Sequence, residues 1–338
     1  MKRSIFIVMV FVLLAPVSIL FAQSKAGTTI AQFLKIEPSA RAAALGNAGT
    51  SLYGEAASLY YNPASLGRLD KIDAQFTYNK WLADINYNYA VVGVPLQGIG
   101  TLALQITSLN SGEMDVRTVE QPLGTGERFS VTNFALGLGY GMMLTDRVSV
   151  GLQMTYFQES IWHSSLTGFA LNIGVQYQVE VDGLTIGAAL MNFGPRAKYE
   201  GRDAYVNFDF DPKKYGDNDQ LPAQLRMDEW GLPTAFRVGM SYPVRFSKDY
   251  KLILTADAFH PNDNKESISL GGEFQLLDIF YVRGGYRNLF LEDLEGGAVL
   301  GGGVKASISG GYVIRFDYAW ADYGRLDQAH RFTFGIGF

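Results

Sequence analysis

The chain has 338 residues, 48% hydrophobic and 18% charged, with a formal net charge of −5. That charge is too small and too dispersed to point to a nucleic-acid partner. There is no cysteine, which removes a disulfide framework and a thiolate metal site. No cofactor is expected, and the length suits one large all-β unit or two ordinary domains.

Lys2 and Arg3 precede an apolar run over residues 5–21, and Ala22-Gln23 follows. This pattern predicts a secretory signal peptide over residues 1–22, cleaved near Ala22. The alternative is an uncleaved anchor, for which the run is at the short end of a span. After Gln23 no stretch approaches ~18 uninterrupted apolar residues, so no further transmembrane helix is expected.

Residues 23–71 are small-sided and carry helix punctuation. Ser39 stands as an N-cap before Ala40-Arg41-Ala42-Ala43, and Gly46-Asn47 as a stop. Asn62 stands as a cap before Pro63 and Ala64, which suits the first turn of a second short helix. The segment is too short to form a core alone. It is predicted to be a plug inside a barrel lumen, the alternative being a periplasmic extension.

From Ile72 to the end, residues 72–338, the pattern has period two. Val148, Val150, Leu152, Met154 and Tyr156 alternate with Ser149, Gly151, Gln153 and Thr155, and similar runs follow. The second face is mostly Gly, Ser, Asn, Gln and Ala rather than the Lys, Glu and Thr of a soluble sandwich. That favours a transmembrane antiparallel β-barrel, apolar toward lipid and small or polar toward the lumen. About fourteen strands are expected, starting near Ile72, Ile85, Ile99, Phe129, Val148, Thr167, Leu184, Thr234, Leu252, Ser267, Ile279, Ala298, Gly311 and His330. Connections after even-numbered strands are short. The long ones, residues 111–128, 195–232 and 288–297, follow odd-numbered strands. This segregation is the outer-membrane asymmetry, and it puts the tight turns and both ends of the chain at one rim.

Strand parity assigns Asp257, Glu273, Arg283, Arg287, Lys305, Arg315 and Asp317 to the lumen, either as a polar pathway or as pairs that clamp the plug. Facing lipid, a midplane Arg or Lys would cost about 2–4 kcal/mol. Gly137, Gly139 and Gly141, and Gly301 to Gly303, lie within strand patterns, and close packing on the plug is expected there. Tyr87, Tyr89, Tyr156, Tyr312 and Trp320 are candidates for lipid-interface girdles. His163, His260 and His330 have no spacing that makes a catalytic triad. Asp209, Asp211, Asp217 and Asp219 lie in the longest loop without EF-hand spacing, and metal binding is not expected.

The stretch from Phe33 to Leu69, FLKIEPSARAAALGNAGTSLYGEAASLYYNPASLGRL, resembles the amino-terminal signature of the PorV/PorQ family of outer-membrane proteins. The matching pieces are the Ala-Arg-Ala run at Arg41, the turn Leu45-Gly46-Asn47-Ala48, and Tyr60-Tyr61-Asn62-Pro63-Ala64. The resemblance implies the FadL-like barrel group, in which fourteen strands surround an amino-terminal plug. It also implies non-enzymatic cargo handling in type IX protein secretion, with secretion components and secreted cargo as partners. The wider group implies an alternative, a channel for hydrophobic small molecules. The closing residues RFTFGIGF place Phe334, Ile336 and Phe338 on a lipid face, and the terminal Phe resembles the signal read by barrel-assembly machinery. The expected location is the bacterial outer membrane.

Overall fold

The computed structural model describes residues 26–179, 183–211, 213, 216, 220–291, 294–308 and 310–338. The expected signal peptide lies outside the described residues. The strands are β1 (Asp73–Lys80), β2 (Asn86–Leu96), β3 (Gly100–Asp115), β4 (Arg128–Met143), β5 (Val148–Ile161), β6 (Ser164–Gln178) and β7 (Thr185–Phe193). Three short ones follow, β8 (Glu200–Gly201), β9 (Tyr205–Phe208) and β10 (Leu221–Gln224). The rest are β11 (Ala235–Arg245), β12 (Tyr250–Pro261), β13 (Ser267–Leu276), β14 (Phe280–Leu289), β15 (Ala298–Ser307), β16 (Val313–Asp322) and β17 (Gln328–Gly337).

β1–β7 and β11–β17 pair antiparallel in chain order, β7 pairs with β11, and β17 pairs with β1. The sheet is a closed barrel of fourteen strands with no free edge. At the seam Phe334 faces Phe76 and Thr333 faces Thr77, while Ile72 and Phe338 exchange backbone hydrogen bonds of 3.1 and 2.9 Å. The terminal strand is therefore held on both sides by β16 and β1. Burial alternates as an inside-out barrel requires. Phe332, Phe334 and Phe338 are exposed on the outer wall, whereas Arg331 and Thr333 are buried.

The two rims differ as expected. The chain turns quickly at residues 97–99, 144–147, 246–249 and 277–279. Leu277 and Asp278 both take φ near +57°, at 58° and 56°, the left-handed pair of a type I′ hairpin turn. At the other rim residues 116–127, 194–234 and 290–297 make long connections. Part of the loop expected at 111–128 is strand instead, because Glu113, Met114 and Asp115 pair with Ser130, Phe129 and Arg128. The longest connection folds back as the β9–β10 hairpin and is tied down by Ala197 with Trp230 and by Ser165 with Glu200.

Described from residue 26, the plug fills the lumen with short helical pieces: Gln32–Lys35, Ala40–Ala43, Ala56–Tyr60 and Pro63–Arg68. The Ser39 hydroxyl accepts from Ala42 N at 3.3 Å and the Asn62 amide oxygen from Ala64 N at 3.0 Å, with Pro63 at the first position. Two expectations are corrected here. The first described residues sit at the long-loop rim, where Ile30 N donates to Gly231 O at 3.1 Å. The segment thus crosses the lumen lengthwise before β1 begins at the short-turn rim, so the two ends of the described chain lie at opposite rims.

The second correction concerns Tyr87 and Tyr89, expected at the lipid interface and found buried in the lumen. Their hydroxyls find partners there: Tyr87 donates to Ile36 O at 3.0 Å and Tyr89 to Gln105 Oε1 at 2.9 Å. Asn86 and Asn88 take the outer face near the rim, where a polar amide remains wet. Tyr156, Tyr312 and Trp320 do point outward.

Candidate functional site: the plug and the lumen wall

The wall that receives the plug is built largely of inward-facing glycines on successive strands. A Cβ on Gly151 would meet Pro63 C at 2.2 Å, one on Gly187 the Thr50 carbonyl at 2.3 Å, and one on Gly271 the Leu45 carbonyl at 2.5 Å. On Gly301 it would meet the Ala44 methyl at 2.5 Å, and on Gly141 the Leu66 side chain at 2.7 Å. The plug backbone lies directly on the wall because these positions lack side chains. Gly139 likewise packs on Leu59, but Gly137 makes room for Gln105 and Gln153 of the wall, and Gly303 for Asp317 and Arg283. The plug's own Gly46, at φ +71°, has Tyr286 O 2.7 Å from its would-be Cβ, and Asn47 follows at φ +65°.

Polar groups then fix the register. Gln176 on β6 donates to Thr50 O and Leu52 O, both at 3.1 Å. Asp257 on β12 accepts from Thr50 N at 2.9 Å and from its hydroxyl at 2.6 Å. Asn62 of the plug donates to Val175 O at 3.0 Å. Such buried backbone groups need partners, and the wall supplies them.

Arg41 carries the charge contact. Its guanidinium grips Glu273 of β13 through two hydrogen bonds of 2.8 Å and Glu55 of the plug through a third of 2.8 Å. Glu273 also accepts from Arg283 at 2.6 Å, and Arg283 reaches Asp317 at 2.5 Å. Three of the candidate lumen charges, Glu273, Arg283 and Asp317, therefore form one network with Arg41 of the plug. Arg315 pairs instead with Asp73, whose other oxygen accepts from Ala56 N at 2.7 Å. Arg287 stacks on Tyr323, 3.5 Å from the ring centre, and Lys305 pairs with Asp278 at 2.7 Å on the short-turn rim. Those last two do not touch the plug's ion pairs.

Several lumen groups went unmarked in the sequence. Arg237, on the same face as Gly239 and Ser241, pairs with Glu37 at 3.5 Å and lies over Phe259; strand parity alone would have found it. Arg331 donates to Glu37 O at 3.2 Å and covers Trp81. Two further carboxylates anchor the entry of the plug at the long-loop rim. Asp263, in the β12–β13 connection, accepts from Thr29 at 2.6 Å, Gln32 at 2.8 Å and Lys35 at 2.8 Å, all through one oxygen. Glu159 accepts from Ala31 N at 3.0 Å and from the Tyr199 hydroxyl at 3.1 Å. Burial opposes the charge on Asp263, but the donors of Gln32, Lys35 and Thr29 outweigh it and hold its carboxyl below the ordinary range.

Beneath this anchored strap, residues 29–35, lies a packed apolar cluster. Phe33, Leu34, Leu59, Tyr87, Leu109 and Phe157 belong to one buried cluster between plug and wall. Phe157 lies over Gly168, where a Cβ would come within 2.5 Å of the ring. The histidines stand elsewhere: His163 bonds Asp203 at 3.0 Å in an outer turn, His260 pairs with Glu266 at 2.9 Å, and His330 meets the Tyr318 hydroxyl at 2.8 Å. Asp209 accepts from Asp211 N at 3.0 Å, while Asp217 and Asp219 lie outside the described residues.

A closed antiparallel barrel, apolar outside and filled by an amino-terminal plug, defines an outer-membrane β-barrel of the FadL-like fold. The chain is similar over most of its length to the Ralstonia pickettii toluene transporter TbuX, at 13% identity and TM-score 0.53, covering 90% of this chain and 98% of that one. It is similar also to the Pseudomonas putida toluene transporter TodX, at 12% identity and TM-score 0.55, covering 88% and 96%. A Pseudomonas aeruginosa FadL homologue aligns at 13% identity and TM-score 0.51, covering 87% and 96%. At these identities the likeness is one of fold. No protein-family model matches the chain, and no curated protein sequence does.

Proposed function

We propose that this protein conducts hydrophobic small molecules across the bacterial outer membrane, with the amino-terminal plug as its gate. The observation that carries this reading is the packed apolar cluster around Phe33, Leu59, Tyr87 and Phe157, formed where the plug meets the lumen wall. Displacement of the plug would uncover that apolar surface, and an apolar solute partitions onto it where a polar one does not. The route starts at the long-loop rim, beneath the strap held by Asp263 and Glu159. No catalytic step enters this reading. Uptake of a labelled monoaromatic hydrocarbon by a host strain lacking its own hydrophobic channels tests it. Expression of the barrel is expected to raise uptake above empty-vector cells, and equal uptake in the two would overturn the proposal.

A second reading, PorV/PorQ-type cargo handling in type IX secretion, has its own support. The β9–β10 hairpin projects from the long-loop rim with Tyr205, Phe208 and Phe210 exposed, Phe210 at 82%. An isolated two-stranded hairpin is marginal in water, and exposed aromatics on it suit a protein partner. Site-specific cross-linking from Phe208 in a strain that has a type IX translocon is expected to capture secretion components or cargo under this reading. Capture of neither removes it. Cleavage near Ala22 and delivery by barrel-assembly machinery belong to both readings, and amino-terminal sequencing of the membrane-extracted protein checks the former.

A further inference from the structure

At the short-turn rim the lumen holds a cavity of about 150 Å³ between the plug and strands β6, β7, β11, β12 and β13. Arg41, Arg245 and Lys251 line it, and no acidic residue among the described residues does. Arg41 is already paired with Glu55 and Glu273. Arg245 and Lys251 are different. They are directly opposed across β11 and β12, and neither makes an ion pair among the described residues. Like charges set opposite each other in a sheet repel and destabilise the pair. The Ser51 hydroxyl, fully buried on the plug side of the same cavity, has no hydrogen-bond partner among the described residues. Ser241 and Thr185 add two more hydroxyls to the lining. An adjoining cavity of about 220 Å³, which Arg41 and Lys251 also line, differs in holding Glu55, Asp278 and Asp317.

We propose that this cavity is an oxyanion site that takes a phosphate group between Arg245, Lys251 and the Ser51 hydroxyl. A tetrahedral oxyanion turns the repulsion of the opposed cations into two charge-assisted contacts and gives the buried hydroxyl an acceptor. The size fits a phosphate group with a few waters rather than an extended chain. The position, on the rim that faces the periplasm in an outer-membrane barrel, allows two sources: free inorganic phosphate or the headgroup of an anionic phospholipid. The site is separate from the apolar cluster around Phe33 and Phe157 and does not depend on which solute the barrel conducts.

The test uses the full chain purified in a zwitterionic detergent and titrated with inorganic phosphate by calorimetry. A parallel arm uses nanodiscs of phosphatidylglycerol or phosphatidylcholine, with retained lipid counted by native mass spectrometry. Saturable phosphate binding assigns the free anion. Retention of phosphatidylglycerol over phosphatidylcholine, without phosphate binding, assigns the headgroup. In either case Arg245→Gln with Lys251→Gln is expected to weaken binding by about tenfold or more. Lys248→Gln, in the neighbouring turn and outside the cavity, is expected to leave it unchanged, and heat-modifiable mobility verifies that each variant is folded. Binding of neither probe, or equal binding by the double variant, would overturn the proposal.

Discussion

Arg41 sits where plug and wall share a charge, and its replacements separate electrostatics from packing. Arg41→Ala leaves the buried Glu273 with Arg283 as its remaining cationic partner, and breaking a buried pair costs about 3–5 kcal/mol. Arg41→Lys keeps the charge but loses the two-pronged grip, so it is expected to recover only part of that. Urea unfolding in micelles, with protease protection of residues 40–69 as a local readout, measures both. Asp263 makes a pH prediction with a definite sign. Its folded carboxyl lies below the ordinary range, so its contribution is present above the unfolded value of about 3.9 and is lost as pH falls through the lower folded value. The strap is therefore expected to stay shut from neutral pH down to about 4 and to loosen only below that. Hydrogen exchange at residues 29–35 reports it, and Asp263→Asn is expected to expose the strap at every pH. Neither Asp263 nor Glu159 was legible as a site in the sequence. Their partners on the plug, the Ala31 amide and the side chains of Thr29, Gln32 and Lys35, lie 128 to 234 residues away in the chain, too far for any local pattern to show.

The strands were the most legible elements, because lipid on one side and a crowded lumen on the other impose a strict period of two. The poorest of the expected starts was that of β6, read from Thr167 and found from Ser164. Where both faces of a strand are mixed the reading failed. In β2, Asn and Tyr alternate with no clearly apolar face, so Tyr87 and Tyr89 were assigned outward and lie inward. The glycine pairs give a test specific to the wall. Gly271→Val drives a side chain into the Leu45 carbonyl and is expected to expel the plug from an assembled barrel, seen as faster proteolysis of residues 40–69. Gly272→Val, one residue on, meets only the flexible Leu254 side chain at 3.9 Å and is expected to be silent. On β17, deleting Phe338 removes its backbone pairing with Ile72 and its packing near Tyr312, 6.1 Å between ring centres. Less heat-modifiable barrel in the membrane fraction is expected, and normal assembly of that variant would count against reading the last residue as part of the closing seam.

At the scale of the whole molecule, barrel and plug explain each other. The glycines leave a space that only a backbone fills, and the plug lacks the bulk to fold without that space. The barrel and the presence of a plug were legible from strand parity, loop lengths and helix punctuation in residues 23–71. The plug's lengthwise path was not, because the contacts that set it, Ile30 with Gly231 and Thr50 with Asp257, join distant positions without a sequence pattern. If the plug gates an apolar route, locking it must stop transport. The native chain has no cysteine, so a pair introduced as Thr50→Cys and Asp257→Cys, where the native side chains meet at 2.6 Å, has no competing thiols. Monoaromatic hydrocarbon uptake is then measured with this pair oxidised and reduced. Uptake present in the reduced form and abolished on oxidation is the predicted result; uptake equal in the two forms would contradict it.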